Sequence, residues 1–301
     1  CIKEKWNFSI LTTDSTDKFN SEDAYQKFNS EDAYQKIVNS MSDAMKKRRL
    51  VFFVGAGISR IQGYPSWDEY IENLLVYWQS HLRDSNINPE SMLNVEIIRE
   101  LAKSHISNKR KVDLLYQLLE NVFDSETVVL KKIEFERYYF KDLVPIITQN
   151  PVLTQLAKLD AVYLTTNYDN QIEKHLDDMK TTSITVKDIA ALRDSIAVDS
   201  VIHLHGTPDG NPEHFISSSS SYKQLYYSNN HDIQRLRSLI KEKELLLIFI
   251  GSSMEEDEVL SLLSDGTTKN IAFLTAEDTK VPGKVAIRHL IEDYHLKVNN
   301  T

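Results

Sequence analysis

The chain is poor in cysteine, with Cys1 alone among its 301 residues. A single cysteine excludes a disulfide within the chain and any zinc site that needs several thiolates. It fits a reducing compartment, so we expect a cytoplasmic protein. The chain also lacks a Gly-Lys-Ser or Gly-Lys-Thr triplet after a glycine-rich turn, which excludes a Walker-type phosphate loop.

Long apolar runs are lacking too. The longest of them, such as residues 245–250, are far too short to cross a bilayer. No charged-then-apolar secretory signal begins the chain. The net charge of −9 argues against a broad nucleic-acid surface. Because the chain starts at Cys1 rather than Met, we expect a fragment of a longer protein.

Glycine is scarce, with eight residues in all. Five of them fall in polar segments that follow apolar runs or predicted turns: Gly55, Gly57, Gly63, Gly206 and Gly251. A chain that uses few glycines elsewhere needs unusual backbone at these junctions. The first pair follows five consecutive apolar residues, a pattern typical of a buried strand whose turn brings N–H groups close to an anion such as a pyrophosphate.

Short apolar runs predict five buried strands. They are residues 50–54, 161–165, 201–204, 245–250 and 271–274. Helical patterns separate these runs, and the region of about 82–159 shows helical patterns alone. The alternation predicts an α/β fold, a Rossmann-like parallel sheet with helices on both faces and a helical insertion after the first strand.

We divide the chain at residue 30. Residues 1–30 are expected to be a loose lead-in, which contains most of a perfect nine-residue tandem duplication over 18–35. Residues 31–301 are expected to form one domain, which includes the helical subdomain of about 82–159. We assign no function to the duplication, since nine residues are too few for a solenoid unit.

Two local signals predict where helices begin inside this domain. Ser66 and Glu69 have the spacing of a capping box, so a helix should start at Trp67. Asn150 before Pro151 predicts a second start, because proline suits the first helical position.

Two further segments have ambiguous patterns. A helix is predicted after Asp169 and through His175. The serine run of residues 217–221, which precedes Tyr222 and Tyr226, predicts a flexible loop over the site, either a lid or an ordinary surface loop.

Polar or glycine-rich segments follow the predicted strands and should converge. The carboxyl ends of parallel strands lie on one edge of a sheet, where ligands bind. The segments are Gly55-Ala56-Gly57, Asn167-Tyr168-Asp169, His205-Gly206 and Gly251-Ser252-Ser253. Arg60 stands where a dehydrogenase fingerprint would have its third glycine, so an ordinary dinucleotide dehydrogenase is disfavoured.

Taken in order, these motifs resemble the sirtuin-like domains of bacterial anti-phage defence effectors, of the Thoeris type and the defence-associated sirtuins. The resemblance rests on residues 55–59, 63–67, 166–169, 205–206 and 251–253, and it covers about residues 40–298. It implies a Rossmann-like NAD+ site without a metal and cleavage of NAD+ to nicotinamide and ADP-ribose. It further implies activation by a phage-derived component or signal, with NAD+ depletion arresting the infected cell. We expect a homo-oligomer or a partner defence subunit.

The chain departs from related patterns in two places. Protein-deacetylating sirtuins carry a four-cysteine zinc module, which this chain cannot build. After Gly251-x-Ser253 the defence relatives usually have an aspartate, and here Glu256 and Asp257 occupy that region.

The resemblance implies a role for each residue of the predicted site. Cleaving the bond from ribose C1′ to nicotinamide needs no general acid, because the leaving group is already cationic; the oxocarbenium-like sugar and the water need help. Asn167 would hold a ribose hydroxyl or the water, or would simply cap a helix. His205 would accept a proton as the base, or would be a structural histidine.

The remaining residues would bind NAD+. Asp169 would orient the base or bind ribose, or cap its helix. Ser59 and the amides of residues 55–57 would hold the phosphates. The full predicted NAD+-binding set is Gly55, Ala56, Gly57, Ser59, Asp169, Gly206, Gly251 and Ser253. His203 is expected to pack beside the site; with His205 it makes a His-x-His pair, but the sequence offers no third metal ligand.

Other functions remain open at this point. The chain could be a module that senses NAD+ or ADP-ribose without turnover, or an NAD-dependent protein deacylase, which the missing cysteines disfavour. It could also be a scaffold, if the glycine junctions are only turns. An assay of NAD+ turnover separates the first alternative from a hydrolase.

Overall fold

A computed structural model describes residues 9–12, 31–84, 89–140, 145–176, 181–191, 196–207, 210–211, 214–252, 256–263 and 270–274. Its strands are β1 (Ser9–Thr12), β2 (Leu50–Val54), β3 (Val162–Thr165), β4 (Thr182–Thr185), β5 (Ser200–His203), β6 (Leu246–Ile250) and β7 (Ile271–Leu274). Its α-helices are α1 (Glu31–Lys46), α2 (Ala56–Arg60), α3 (Trp67–Asp84), α4 (Pro89–Lys103), α5 (Asn108–Glu120), α6 (Ser125–Phe140), α7 (Pro151–Leu156), α8 (Ser219–Tyr226), α9 (His231–Glu242) and α10 (Asp257–Leu260). Short 3-10 helices cover Glu173–His175, Val186–Ala191 and Ser261–Leu263.

The strands form one sheet in the order β1-β7-β6-β2-β3-β5-β4. All neighbours from β7 to β4 run parallel, and β1 pairs antiparallel with β7. The chain moves from β2 to one side through β3 and β5, then returns to the other side through β6. The predicted Rossmann-like sheet is therefore confirmed, with its topological switch point between β2 and β6.

Apolar residues of the strands alternate between two cores. Val51 and Phe53 of β2 pack with α8 and α9, whereas Phe52 and Val54 pack with α1 and α7. Helices thus cover both faces of the sheet, as predicted, and strands buried on both faces are apolar throughout, as in β2.

The helical insertion has a core of its own, built from α3 to α6 around Trp78, Leu74 and Leu115. Two residues from loops at the edge of the sheet, Tyr168 and Phe215, belong to the same core. Their rings stack with centroids 4.2 Å apart. The insertion therefore packs over the carboxyl edge of the sheet, next to Asn167.

The two predicted helix starts are confirmed. Ser66 N–H donates to Glu69 Oε2, and Glu69 N–H donates to Ser66 Oγ, which completes the capping box of α3. Asn150 Oδ1 accepts the N–H groups of Val152 and Leu153 at the start of α7.

Four local predictions are corrected. The structure adds β1 in the predicted lead-in and β4, a polar edge strand, where the sequence predicted none. The helix predicted after Asp169 is the single 3-10 turn Glu173–His175. The serine run is no flexible loop, because Ser218 and Ser221 form a reciprocal capping box at the start of α8. The first copy of the duplicated nonapeptide lies outside the described residues, and residues 31–35 of the second copy belong to α1.

Among the described helices, none is long and apolar enough to cross a membrane.

Candidate functional site

One row of residues marks the carboxyl edge of the sheet. Ile250, Val54, Thr165, His203 and Thr185 are partners in register across β6, β2, β3, β5 and β4. The predicted site segments begin within two residues of this row. Register therefore brings Gly55, Asn167, His205 and Gly251 to neighbouring positions, although up to about 200 residues separate them in sequence.

The glycines of the first and last segments allow two backbones to touch. Gly55 N–H donates to Ile250 O at 2.9 Å, and Gly57 N–H donates to Gly251 O at 2.8 Å. A Cβ on Gly55 would lie 2.6 Å from Gly251 O, and one on Gly57 would lie 2.8 Å from the same atom. Gly251 itself has φ +68, which favours glycine.

This contact corrects the expectation that the amides of residues 55–57 hold phosphates. The amides of Gly55 and Gly57 are already used by β6 carbonyls, so these two glycines serve close packing across the switch point. Ala56 contributes an N–H of the first turn of α2, which the helix leaves without an internal acceptor. Ser253, also predicted to bind NAD+, lies outside the described residues.

Asn167 is held from three sides. Its Nδ2 donates to Gly55 O at 3.1 Å and to Ser59 Oγ at 3.0 Å. Its N–H donates to Thr165 Oγ1 at 3.0 Å, and its carbonyl faces His203 Nδ1 at 3.1 Å. Its side-chain oxygen Oδ1 is buried and has no hydrogen-bond partner among the described residues. Asn167 caps no helix, so the side chain is fixed with one acceptor left over.

Asp169 lies beside Asn167 and shares Ser59 with it. Its carboxylate accepts from the Ser59 hydroxyl and, at 3.0 Å, from Gln171 N–H. Burial raises the pKa of Asp169 above its ordinary value, against the lowering effect of these two hydrogen bonds. Burial, with the charge of Asp169, also raises the pKa of Tyr64 to about 12.

A chain of buried amides supports Asp169 from behind. Gln171 Nε2 donates to Tyr64 OH at 2.7 Å, and Gln62 Nε2 donates to Gln171 Oε1 at 2.9 Å. Gln62 Oε1 in turn accepts from Asn150, whose Nδ2 also reaches Ile58 O. Every member is at most 4% exposed. No sequence motif indicates this network, since its members are spread from residue 62 to residue 171.

His205 occupies a different environment, between two tyrosines of α8. Its Nε2 lies 2.9 Å from Tyr226 OH, and its Nδ1 lies 3.2 Å from Tyr222 OH. It is 1% exposed. Burial, with the nearby charge of Lys109, lowers the pKa of His205 to about 3, so the imidazole is neutral. One ring nitrogen then donates to a tyrosine and the other accepts from one.

Three charged residues complete this side of the site. Lys109 Nζ lies 3.6 Å from the ring centroid of Tyr222 and 2.9 Å from Glu258 Oε1. Burial raises the pKa of Glu256, and Glu256 Oε2 is buried without a hydrogen-bond partner among the residues described. Glu256 is the residue that the sequence places after Gly251-x-Ser253, without marking it as a member of the site. The roles of Tyr222 and Tyr226 were not predicted, although their i, i+4 spacing indicates one helix face.

Gly206 lets the loop after His205 turn back tightly. It has φ +81, and a Cβ there would lie 2.4 Å from His214 O. Ile216 N–H donates to His205 O at 2.9 Å, which closes the loop. Gly206 thus shapes the backbone that carries His205.

His203 packs beside the site as expected, and it is 0% exposed. Its Nε2 lies 2.7 Å from Glu173 Oε1, while the nitrogens of His205 meet tyrosines. The two histidines therefore do not share a ligand. The described part of the chain holds no group of three or more His, Cys, Asp or Glu side chains placed for a metal ion.

Two comparisons with known proteins bear on this geometry. Residues 161–298 match the SIR2-like domain family, a stretch that contains Asn167, Asp169 and His205. The chain is also 24% identical over 236 residues to "NAD(+) hydrolase ThsA" of Enterococcus faecium, which covers 76% of this chain and 42% of that protein. The chain thus spans less than half the length of this curated relative. The matches confirm the predicted resemblance to sirtuin-like domains.

Proposed function

We propose that this chain hydrolyses NAD+ to nicotinamide and ADP-ribose. The observation that carries the proposal is the state of Asn167. Two hydrogen bonds fix its amide nitrogen, and its buried oxygen is left as an unused acceptor at the carboxyl edge of a Rossmann-like sheet. A ribose hydroxyl or a water molecule supplies the donor that this oxygen lacks.

The reaction is a transfer of the ribosyl group to water. The bond between C1′ and the pyridinium nitrogen breaks, and its electron pair neutralises the ring nitrogen of nicotinamide. Water adds to C1′ and releases one proton. Asn167 would orient the water or the ribose, and the buried Asp169 would bind ribose beside it. Ser59, Ala56 and the backbone at Gly206 and Gly251 would line the rest of the dinucleotide.

His205 would receive the proton. Because both of its nitrogens face tyrosine hydroxyls, the proton would reach it through one of these hydroxyls. The neutral imidazole can accept a proton, but a pKa of about 3 makes the enclosed ring a weak base, since an efficient general base has a pKa near the working pH.

The biological role that we propose is defence. Resemblance to the anti-phage effectors suggests that a phage-derived signal switches the enzyme on and that NAD+ depletion stops the infected cell. The relative extends well beyond the length matched here, so the parts that sense the signal or assemble subunits are proposed to lie elsewhere in the longer protein.

A second function, a module that binds NAD+ or ADP-ribose without turnover, is favoured by one observation. His205 is enclosed by Tyr222 and Tyr226 and is 1% exposed, so a base at this position has no direct path to a substrate. In this alternative Asn167 and Asp169 bind the ligand, and no step follows.

The test is release of nicotinamide from NAD+, measured for the wild-type chain, His205→Ala and Asn167→Ala. We expect release by the wild type and a loss of at least about 100-fold in kcat for both variants. NAD+ binding, followed by thermal stabilisation, should persist in His205→Ala. If the wild-type chain binds NAD+ but releases no nicotinamide, and a longer form of the protein supplied with its activating signal releases none either, the sensing module is favoured instead.

A further inference from the structure

His203 faces an acceptor with each of its ring nitrogens. Nδ1 lies 3.1 Å from Asn167 O, and Nε2 lies 2.7 Å from Glu173 Oε1. A carbonyl and a carboxylate can only accept, so both nitrogens must donate. The geometry therefore makes His203, which is fully buried, an imidazolium paired with Glu173, whose side chain is 17% exposed.

The surroundings of this pair stabilise its charge. Burial alone would lower the pKa of His203, but the hydrogen bond and charge of Glu173, the Asn167 carbonyl and the charge of Asp169 raise it above the ordinary value. Burial raises the pKa of Glu173, and the contact with His203, together with hydrogen bonds from Ser183 and the backbone, more than reverses this. On β4, Thr185 pairs in register with His203, and the Thr185 hydroxyl contacts Asp188 and His214.

The pair reaches the candidate site through the peptide group of Asn167. Contacts from Thr165, Gly55 and Ser59 come from the β2 and β3 side of the sheet. The His203 contact comes from β5 and is the one that holds the carbonyl. Loss of that contact would let the carbonyl and the adjoining Cα of Asn167 shift, and the side chain would move with the Cα relative to its two partners.

We propose that His203 and Glu173 are a positioning pair, which fixes the peptide carbonyl of Asn167 and thereby aims its side-chain oxygen at the substrate. The proposal rests on the proposed function of Asn167 in NAD+ hydrolysis. It gives a role to Glu173, which no local sequence motif marks, and to His203, which the sequence predicts only to pack beside the site.

The effect of this pair on the stability of the fold can be separated from its effect on the position of Asn167. Removing one partner leaves a buried charge unpaired and strongly destabilises the fold, whereas replacing both by apolar residues of similar volume is often neutral. The double variant His203→Leu/Glu173→Met should therefore fold, with a melting temperature close to that of the wild type, while it lacks the contact with Asn167 O.

The first experiment measures kcat and KM for nicotinamide release. In the double variant we expect kcat to fall about 10- to 100-fold, with a KM change of less than about threefold, because the chemical step depends on the aim of Asn167. Glu173→Gln should keep kcat within about twofold. Its amide can donate to Nε2 of a neutral His203, whose Nδ1–H still reaches Asn167. Ser183→Ala is the matched control, since Ser183 Oγ donates to Glu173 Oε1 at 2.7 Å without touching Asn167.

The second experiment does not depend on activity. Nitrogen NMR of the histidine rings at pH 7.5 should show His203 protonated on both nitrogens. The side-chain amide signals of Asn167 should move in the double variant and stay in place in Ser183→Ala.

The outcomes separate the two proposals. A wild-type chain without NAD+ turnover contradicts the proposed function, and the NMR result still decides the pair. A neutral His203 at pH 7.5, or a folded double variant with wild-type kcat and unmoved Asn167 signals, overturns the pair while leaving the hydrolase intact. A tenfold loss of kcat in Glu173→Gln overturns it as well, because the charge and not the carbonyl contact would then matter.

Discussion

His203 and His205 lie two residues apart at the end of β5, and both are buried, yet their pKa values are shifted in opposite directions. His203 donates to Glu173 and to a carbonyl, and these partners raise its pKa. His205 has two tyrosine hydroxyls for partners, and burial with Lys109 lowers its pKa to about 3. The type of residue therefore says little about charge here, and the partners decide it.

The same contrast divides the carboxyl edge of the sheet into two halves. The Asn167 half, with Asp169, Ser59 and His203, is a network of amides and charges that fixes side chains from several elements. The His205 half encloses a neutral imidazole between the hydroxyls of Tyr222 and Tyr226, and Lys109 lies against the Tyr222 ring. The Asn167 half can hold a substrate group in place. In the His205 half, a tyrosine hydroxyl must give up or pass on its hydrogen bond before the imidazole can act as a base.

Gly55 joins the Asn167 half to β6, and its substitution should have the largest effect on stability and turnover. In Gly55→Ala the new Cβ would lie 2.6 Å from Gly251 O and 2.7 Å from Ser252 Cα, both backbone atoms. We expect a loss of about 3 kcal/mol in the free energy of unfolding, together with loss of turnover, because the carbonyl that holds Asn167 Nδ2 must shift. Urea denaturation and the nicotinamide assay measure the two effects.

Gly210→Ala is the matched control for this substitution. A Cβ on Gly210 would lie 3.1 Å from Thr207 Oγ1 and 3.3 Å from Thr207 O, so its neighbours need give way by a few tenths of an ångström only. We expect a change within about 1 kcal/mol and unaltered turnover. Equal stability of the two variants would show that the backbones at the switch point can separate freely.

Much of the fold could be predicted because buried parallel strands are apolar and short. All five predicted strands, together with the starts of α3 and α7, follow from local patterns that tertiary packing reinforces. The convergence of Asn167, His205 and the glycines was also predictable, since it follows from the rule that parallel strands end at one edge.

The remainder depends on contacts that no local pattern encodes. β4 has the sequence Thr-Ser-Ile-Thr and is exposed over its first half, so it lacks the apolar run that marked the other strands. Glu173 and Tyr226 become partners of histidines only through the register of β5 and the docking of α8. The use of the Gly55 and Gly57 amides by β6 carbonyls likewise needs the strand order.

The two histidines should limit stability at opposite ends of the pH range. The unfolded chain binds a proton on His205 near pH 6.5, but the folded chain does so only near pH 3, so this stability is present above pH 6.5 and is lost as the pH falls. His203 has a raised pKa, so its contribution is present below pH 6.5 and is lost as the pH rises through that raised pKa.

The free energy of unfolding, measured at pH 8 and at pH 5, tests this contrast between the two histidines. We expect His205→Gln to reduce the difference between the two pH values by about 2 kcal/mol relative to the wild type, because glutamine does not titrate. The comparison uses the change with pH in each protein, so a constant packing difference cancels. An identical pH dependence in both proteins would mean that His205 titrates normally in the folded state.

Removing the hydroxyl of Tyr226 is the smallest and most selective change. The neighbouring Tyr227 serves as its control. Tyr226 OH lies 2.9 Å from His205 Nε2 and is buried, whereas Tyr227 is 63% exposed. In Tyr226→Phe we expect a loss of about 1 kcal/mol in unfolding free energy, since a buried ring nitrogen loses its partner. We also expect kcat to fall about tenfold, because the proton path to His205 or the orientation of its ring is impaired.

Tyr227→Phe should leave both quantities unchanged. If Tyr226→Phe lowers stability but leaves kcat intact, the hydroxyl only satisfies a buried imidazole, and the His205 half is structural. Asn167 would then act without a base at His205, since water that attacks an oxocarbenium-like sugar can release its proton after the bond has formed. In that case the Asn167 half would be catalytic and the His205 half would only support the structure.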